Sequence, residues 1–316
     1  MKNRFFKSGI LNHCYQRSAD HGLLFYSKSD YLVWFTVLCT TAPRHRVKIL
    51  AACPMPDHIH MAVTAKSVQD LSRYMGELNR TFSKLHNEVC KIKISWFESP
   101  YGSAPKEGSK VGRNCIIYVG NNPVERKLTS KAEDYRWTFL AYFVSKHPFS
   151  QKMVLRKASW PMRQAVREVK AQHAAGKPMR YNQLKRLSRK LKEQEREQLI
   201  DFIICTYDVI DHKEALRYFD GSYEKKTAAM AITTAREHDI NETFVGWSDK
   251  PYAKMARLMM SKYELQDIHE FLSWPPDKKA EAYRYLKCTG NFLPEQMGKF
   301  LHWWGYHRGR PCCGSN

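Results

Sequence analysis

Two short apolar runs separated by four turn residues constrain this chain more than any other feature. Val47 to Cys53 is rich in apolar and β-branched residues, and His58 to Thr64 continues in the same character. The Pro54-Met-Pro56-Asp57 segment between them reads as a turn that leads directly into the second run. The pair is therefore expected to form a β-hairpin-like unit whose second strand is 58–64. Side chains alternate along a strand, so His58 and His60 project from one face while Ile59 points into the core. Two imidazoles about 6–7 Å apart on one strand face suit a single divalent ion. Taken alone, they read as a pair of half-exposed strand histidines.

The flanking pattern supplies the rest of a sheet. Residues 10–18 read as a first strand, and Ser27 or Ser29 can cap a helix from about Asp30 to Thr41. Residues 68–90 form an amphipathic helix, with Leu71, Met75, Leu78, Phe82, Leu85 and Val89 at helical spacing. Residues 94–114 read as a strand followed by an exposed loop. A short helix follows over 113–122. The order strand, helix, strand, strand, helix, strand, helix describes an α+β fold, a ferredoxin-like antiparallel sheet with packed helices. In it the strand bearing His58 and His60 is expected to be central. Residues 146–162, with Pro148 and Pro161, read as a linker. From Trp160 the pattern is all-helical, which divides the chain into residues 1–147 and a helical accessory domain, 148–316.

The charge narrows the partners. The 316 residues carry a formal charge of +21. Residues 1–148 hold 22 Lys and Arg against 11 Asp and Glu, and the remainder 30 against 20, so both halves are basic. A polyanion is the natural partner, and nucleic acid is the commonest one. No run approaches the roughly 20 apolar residues that a membrane helix needs. The nine cysteines are odd in number and lack a C-x-x-C pair, which points to reduced thiols in a cytoplasm.

The helix at 113–122 carries the chemistry. Tyr118 and Asn122 are four residues apart and share a helix face. If that face covers the histidines, Asn122 offers a third, neutral oxygen ligand and Tyr118 a phenol oxygen beside the ion. Mg²⁺ or Mn²⁺ held by His58, His60 and Asn122 keeps positions for phosphate oxygens. A deprotonated Tyr118 could then attack the phosphate in line and form a 5′-phosphotyrosine.

Four blocks in this order carry a family resemblance: Pro-Met-Pro-Asp-His-Ile-His-Met, Tyr-Met-Gly-Glu-Leu-Asn-Arg-Thr-Phe-Ser-Lys, Tyr-Val-Gly-Asn-Asn-Pro-Val-Glu and Asp-Tyr-Arg-Trp-Thr-Phe. Together they resemble the motifs of IS200-like single-tyrosine HUH transposases, in the branch associated with repetitive extragenic palindromes. The resemblance spans about residues 8–143, and its specific part is the Tyr-x-x-x-Asn-Pro-Val block. It implies an HUH endonuclease core with His58 and His60 as metal ligands, Tyr118 as nucleophile and Asn122 as third ligand. It also implies single-stranded DNA folded into hairpins as substrate, and action as a monomer or homodimer. Asp57 stands where many relatives carry asparagine, and residues 99–113 lack their Trp-Gln-x-Arg pattern.

The expected activity is metal-dependent cleavage and strand transfer at hairpin DNA. Two alternatives stay open: a replication-initiator-like or domesticated nickase, and a hairpin-binding protein without catalysis. Further DNA contacts are expected from His13 and Arg17 on the first strand, which as strand residues would have surface tips by default. Arg80 and Lys84 on the 68–90 helix, and Arg113 and Arg126 around the tyrosine helix, complete that set. Residues 277–302 read as two helices with a tight turn, either a helix-turn-helix or an ordinary αα-hairpin. The tail with Trp303, Trp304, Tyr306, His307, Arg308 and Arg310 could stack bases or grip phosphates.

Overall fold

The structure is a computed structural model that describes residues 5–233 and 250–303. The tail positions Trp304, Tyr306, His307, Arg308 and Arg310 therefore lie outside the described residues. Four strands, β1 (Leu11–Arg17), β2 (Lys48–Met55), β3 (His58–Thr64) and β4 (Gly102–Lys106), form one antiparallel sheet in the order β2-β3-β1-β4. This is the ferredoxin-like arrangement expected from the sequence, with β3 central.

The alternation along β3 divides the two faces. Ile59, Met61 and Val63 join the core beneath α1 (Lys28–Thr41) and α2 (Val68–Cys90). His58 and His60 face the other way, where Ala62, Leu50, Cys53 and Met55 pack with Cys115, Ile116 and Val119 of α3 (Ser109–Glu125). Helix α1 is the helix expected over about 30–41, and most of it is buried. Ser27 caps it, and Asp30 Oδ2 accepts from the Tyr26 and Ser27 N–H groups at 2.8 and 2.7 Å. Ser67 caps α2 by accepting from Asp70 N–H, and Lys91 ends it in the left-handed region at φ 55°.

Three local expectations are corrected. The strand within 94–114 comes after the loop rather than before it. Only a single bridge, Ser18 with Phe97, precedes β4. Helix α3 runs past both Gly120 and Pro123 to Glu125. Gly120 makes room for Met230, whose Cε lies where a Cβ would stand, and Asn121 Nδ2 donates to Met230 O at 2.8 Å. Pro123 sits in the last turn, where its ring removes one i→i−4 bond of the helix while Leu128 N–H donates to Pro123 O at 2.8 Å and closes the end. The Lys185–Lys192 run, which as a charge run in an all-helical region reads as a solvated helix face, is not one helix face, because α5 (Tyr181–Ser188) ends before it finishes and α6 begins at Glu193.

The C-terminal helices are α4 (Trp160–Ala174), α5, α6 (Glu193–Tyr207), α7 (His212–Leu216), α8 (Tyr223–Ile232), α9 (Lys250–Lys262), α10 (Pro276–Thr289) and α11 (Pro294–Leu301). Helices α4, α5, α6, α9, α10 and α11 share the apolar core of the α1/α2 layer, through Met162, Ile203, Met255 and Phe300 among others, whereas Ala215 of α7 and Met230 of α8 pack with α3. Ile210 also bridges to Ile49, and Asp211 N–H donates to Ile49 O at 2.8 Å, which covers the edge of β2. The expected helix pair near 277–302 is α10 and α11. Helix α11 buries Gln296, Met297, Gly298, Phe300 and Leu301, so most of it docks inward.

A buried ionic network joins these parts. Asp30 Oδ1 lies 2.8 Å from His269 Nε2 and 3.6 Å from His86 Nδ1, and His269 Nδ1 lies 2.5 Å from Asp267 Oδ1. Burial disfavours the imidazolium, but Asp30 and Asp267 outweigh it and raise the His269 pKa to about 10. A raised folded-state pKa contributes stability that is complete below pH 6.5 and lost as pH rises toward 10. We expect the urea midpoint of the wild-type chain to fall across that window and His269→Gln to lose the slope. At pH 7 that variant should cost about 3–5 kcal/mol, because it strands Asp30 without its cation. An unchanged slope would show that His269 is not the titrating group.

Candidate metal and tyrosine centre

The site is assembled where β3 and β1 meet the inner face of α3. The antiparallel register pairs His60 with Tyr15 and His58 with Arg17, and directly paired side chains share a face. His58 and His60 therefore lie together, with ring centroids 4.9 Å apart. Helix α3 lays Tyr118 onto them. Its ring meets His60 edge-on at 5.1 Å and His13 edge-on at 5.5 Å.

His13 is the residue whose setting differs most from expectation. Instead of an exposed strand tip it is 3% exposed and stacks on His60 at 5.2 Å. His13 Nε2 and His60 Nδ1 share a hydrogen bond of 3.0 Å. Burial, reinforced by Lys106, lowers the His13 pKa to about 3. Burial, with His58 and His13 adding to it, holds His60 well below its usual range too. Both rings are therefore neutral near pH 7, the form in which imidazole binds a metal.

His58 is oriented by its neighbour. Its Nδ1–H donates to Asp57 Oδ1 at 2.6 Å, so in the neutral ring Nε2 is the nitrogen with the lone pair. Burial opposes the Asp57 charge, but His58, Lys299 and Arg126 hold its carboxyl well below the usual range. Asn122 lies one turn beyond Tyr118 and is fully buried. Its Nδ2 donates to Tyr118 O at 2.9 Å, while its Oδ1 has no partner among the described residues. His58 Nε2 is likewise buried without a hydrogen-bond partner among them. Unpartnered buried polar atoms call for an explanation, and a group that takes lone pairs is one that suits an amide oxygen and an imidazole nitrogen. The donor set of imidazoles and an amide oxygen suits a divalent ion.

The remaining expected contacts divide. Arg17 faces the centre opposite His58. Arg126 caps α3, is 9% exposed and has Nη2 3.9 Å from Asp57 Oδ2, so it belongs to the centre. Arg113 is exposed near the start of α3. Arg80 and Lys84 lie on α2, beneath the opposite face of the sheet. They line an open groove of about 540 Å³ between α2 and residues 95–101, together with Asn79, Ser83, Phe97 and Tyr101. Neither Arg80 nor Lys84 has an acidic partner among the described residues.

Asp57 and Lys299 escaped the sequence reading as site residues. The unusual Asp before the first histidine was the one available signal. Lys299 carried none, since its contact with Asp57 spans 242 positions. Among the described residues a second group, Asp30, His86 and His269, brings ligand-type atoms within 4.8 Å of one another. Its composition is compatible with a divalent ion. In this structure both His269 nitrogens face carboxylates and His86 Nδ1 bonds the Tyr181 hydroxyl at 2.7 Å, so protons hold it together.

No curated protein matches the chain. A solved structure of a REP-associated tyrosine transposase bound to a REP hairpin is similar, with a TM-score of 0.40 and 16% identity over 46% of this chain and 84% of that one. The family model for IS200-like transposases matches residues 25–111, a span that includes His58 and His60 and ends before Tyr118. Over residues 25–111 this chain is similar to the IS200-like transposases.

Proposed function

We propose that the chain cleaves and rejoins single-stranded DNA at hairpins through Tyr118, assisted by a divalent ion held by His58, His60 and Asn122. The observation that carries this reading is the edge-on contact of Tyr118 with His60, between α3 and β3. It sets a nucleophile beside the neutral His60 imidazole, with His58 adjacent, on a chain of charge +21. When bound, Mg²⁺ or Mn²⁺ would polarise the scissile phosphate.

The protein's own groups perform the remaining work. The Tyr118 phenol loses its proton and its oxygen bonds to phosphorus, while the bond to the 3′-oxygen breaks and that oxygen takes up a proton. The 5′ end stays on Tyr118 until a second 3′-hydroxyl reverses the step and restores the phenol. Arg17 and Arg126 supply positive charge beside the phosphate. His60 and Tyr118 are 1% and 2% exposed, so a phosphate reaches them only when the side chains above them move aside. The groove at Arg80 and Lys84 is a seat for the single strand beyond the hairpin, where the two cations can grip its phosphates.

Incubation with Mn²⁺ and a hairpin oligonucleotide with a single-stranded flank should give a denaturant-stable protein–DNA adduct. Tyr118→Phe should abolish the adduct and leave hairpin affinity within about twofold, since the lost hydroxyl serves chemistry. An adduct that survives this change contradicts the role of Tyr118. Tight binding with no adduct from the wild-type chain favours the non-catalytic hairpin binder. His60→Ala should weaken Mn²⁺ binding by about 100-fold in a titration without DNA. Joint Arg80→Ala and Lys84→Ala substitution should weaken binding to the flanked hairpin more than to a blunt one. It should also flatten the salt dependence by about 1.4 logarithmic units per decade, the effect of two single-strand phosphate contacts. Equal loss on both substrates would remove the groove from the DNA path.

A further inference from the structure

Asp57 stands between the sheet and the C-terminal helices. Its Oδ1 accepts from His58 Nδ1–H at 2.6 Å, and its Oδ2 accepts from the Lys299 ammonium of α11. Arg126 Nη2 is 3.9 Å from the same Oδ2. Helix α11 is fixed on the loop that follows β1. Leu23 N–H donates to Lys299 O at 3.2 Å and the Tyr26 hydroxyl donates to Phe300 O at 2.8 Å. His302 bonds Asp20 Oδ2 at 2.6 Å and Leu23 O at 2.8 Å. The same loop holds the hairpin turn from above. Ser18 N–H donates to Asp57 O at 3.2 Å, and Leu24 and Phe25 N–H donate to Pro56 O at 2.7 and 3.1 Å.

We propose that Lys299 is a positioning residue of the metal centre: by clasping the far oxygen of Asp57, it holds that carboxylate where it fixes His58 with Nε2 toward a divalent ion. The inference rests on the reading of His58 as a metal ligand. A carboxylate bonded through one oxygen can swing about its side-chain torsions, whereas one bonded through both cannot. Outer partners of this kind fix the tautomer and rotamer of a ligating histidine. The arrangement also gives a reason for aspartate at 57, since asparagine offers one acceptor oxygen and no charge for the ammonium. It makes the C-terminal helices part of the centre, because the clasp enters from α11.

The sign of the effect separates positioning from simple electrostatics. Lys299 is a positive charge near a cation site, so by Coulomb's law its removal alone would tighten a divalent ion. Positioning predicts the reverse. In Mn²⁺ titrations of the full chain without DNA, followed by electron paramagnetic resonance, Lys299→Met should weaken affinity about tenfold. Lys299→Arg should recover most of that loss. In an Asp57→Ala background Lys299→Met should not weaken Mn²⁺ binding further, because the two residues act as one unit. The ¹⁵N shifts of His58 without any metal give a second reading. The wild-type ring should show one Nδ1-protonated tautomer, and Lys299→Met a mixture. Unchanged or tighter Mn²⁺ binding by Lys299→Met, with a single tautomer retained, would overturn the proposal. A wild-type chain that binds no Mn²⁺ would overturn the metal reading itself and this inference with it. Normal wild-type binding that is indifferent to Lys299 would remove only the inference.

Discussion

The pairing of β3 between β1 and β2 is the constraint on which the rest depends. Because side chains alternate along a strand, one register puts Ile59, Met61 and Val63 under α1 and α2 and turns His58 and His60 to α3. A slip of one residue would bury the histidines in the apolar layer and remove both from Tyr118. The same register sets Tyr15 opposite His60 and Arg17 opposite His58, so β1 contributes side chains to the centre without a motif of its own. The hydrophobic layer that stabilises the sheet thus also fixes the geometry of the polar face.

The second organising element is the way the C-terminal helices are bound in. Asp30 caps α1 through one oxygen and engages His269 through the other, so one buried carboxylate ties the first helix to a segment more than 200 residues later. Lys299 does the equivalent at Asp57. Both are ionic contacts reaching from the C-terminal region to residues of the sheet domain. Loss of the C-terminal partner leaves Asp30 or Asp57 buried without its cation, which makes the joints costly to open. They give a physical basis for treating residues 250–303 as more than an appended module.

Legibility in the sequence followed the range of the interaction involved. Local, periodic signals were sufficient for β3, α1 and α2, whose bounds lie close to those expected from alternation, helical spacing and the serine caps. The four-residue spacing of Tyr118 and Asn122 was equally readable. The bounds of α3 were not, because Gly120 and Pro123 look like breakers until Met230 fills the glycine notch. His13 was expected at the surface, since only the β1–β3 register reveals that it meets His60. Asp57 was visible as an unusual residue but not as a ligand's partner, because Lys299 lies 242 positions away. Side-chain contacts across such separations leave no periodic trace.

The central claim is that Tyr118 is the atom donor in a covalent step on DNA. Its most direct test is peptide mapping by mass spectrometry after wild-type protein, Mn²⁺ and a flanked hairpin oligonucleotide have reacted and been denatured. The account predicts a single nucleotide-bearing peptide, with the phosphodiester on the Tyr118 oxygen and the 5′ end of the DNA attached. A modification on any other tyrosine, or complete strand cleavage with no modified peptide, would contradict it.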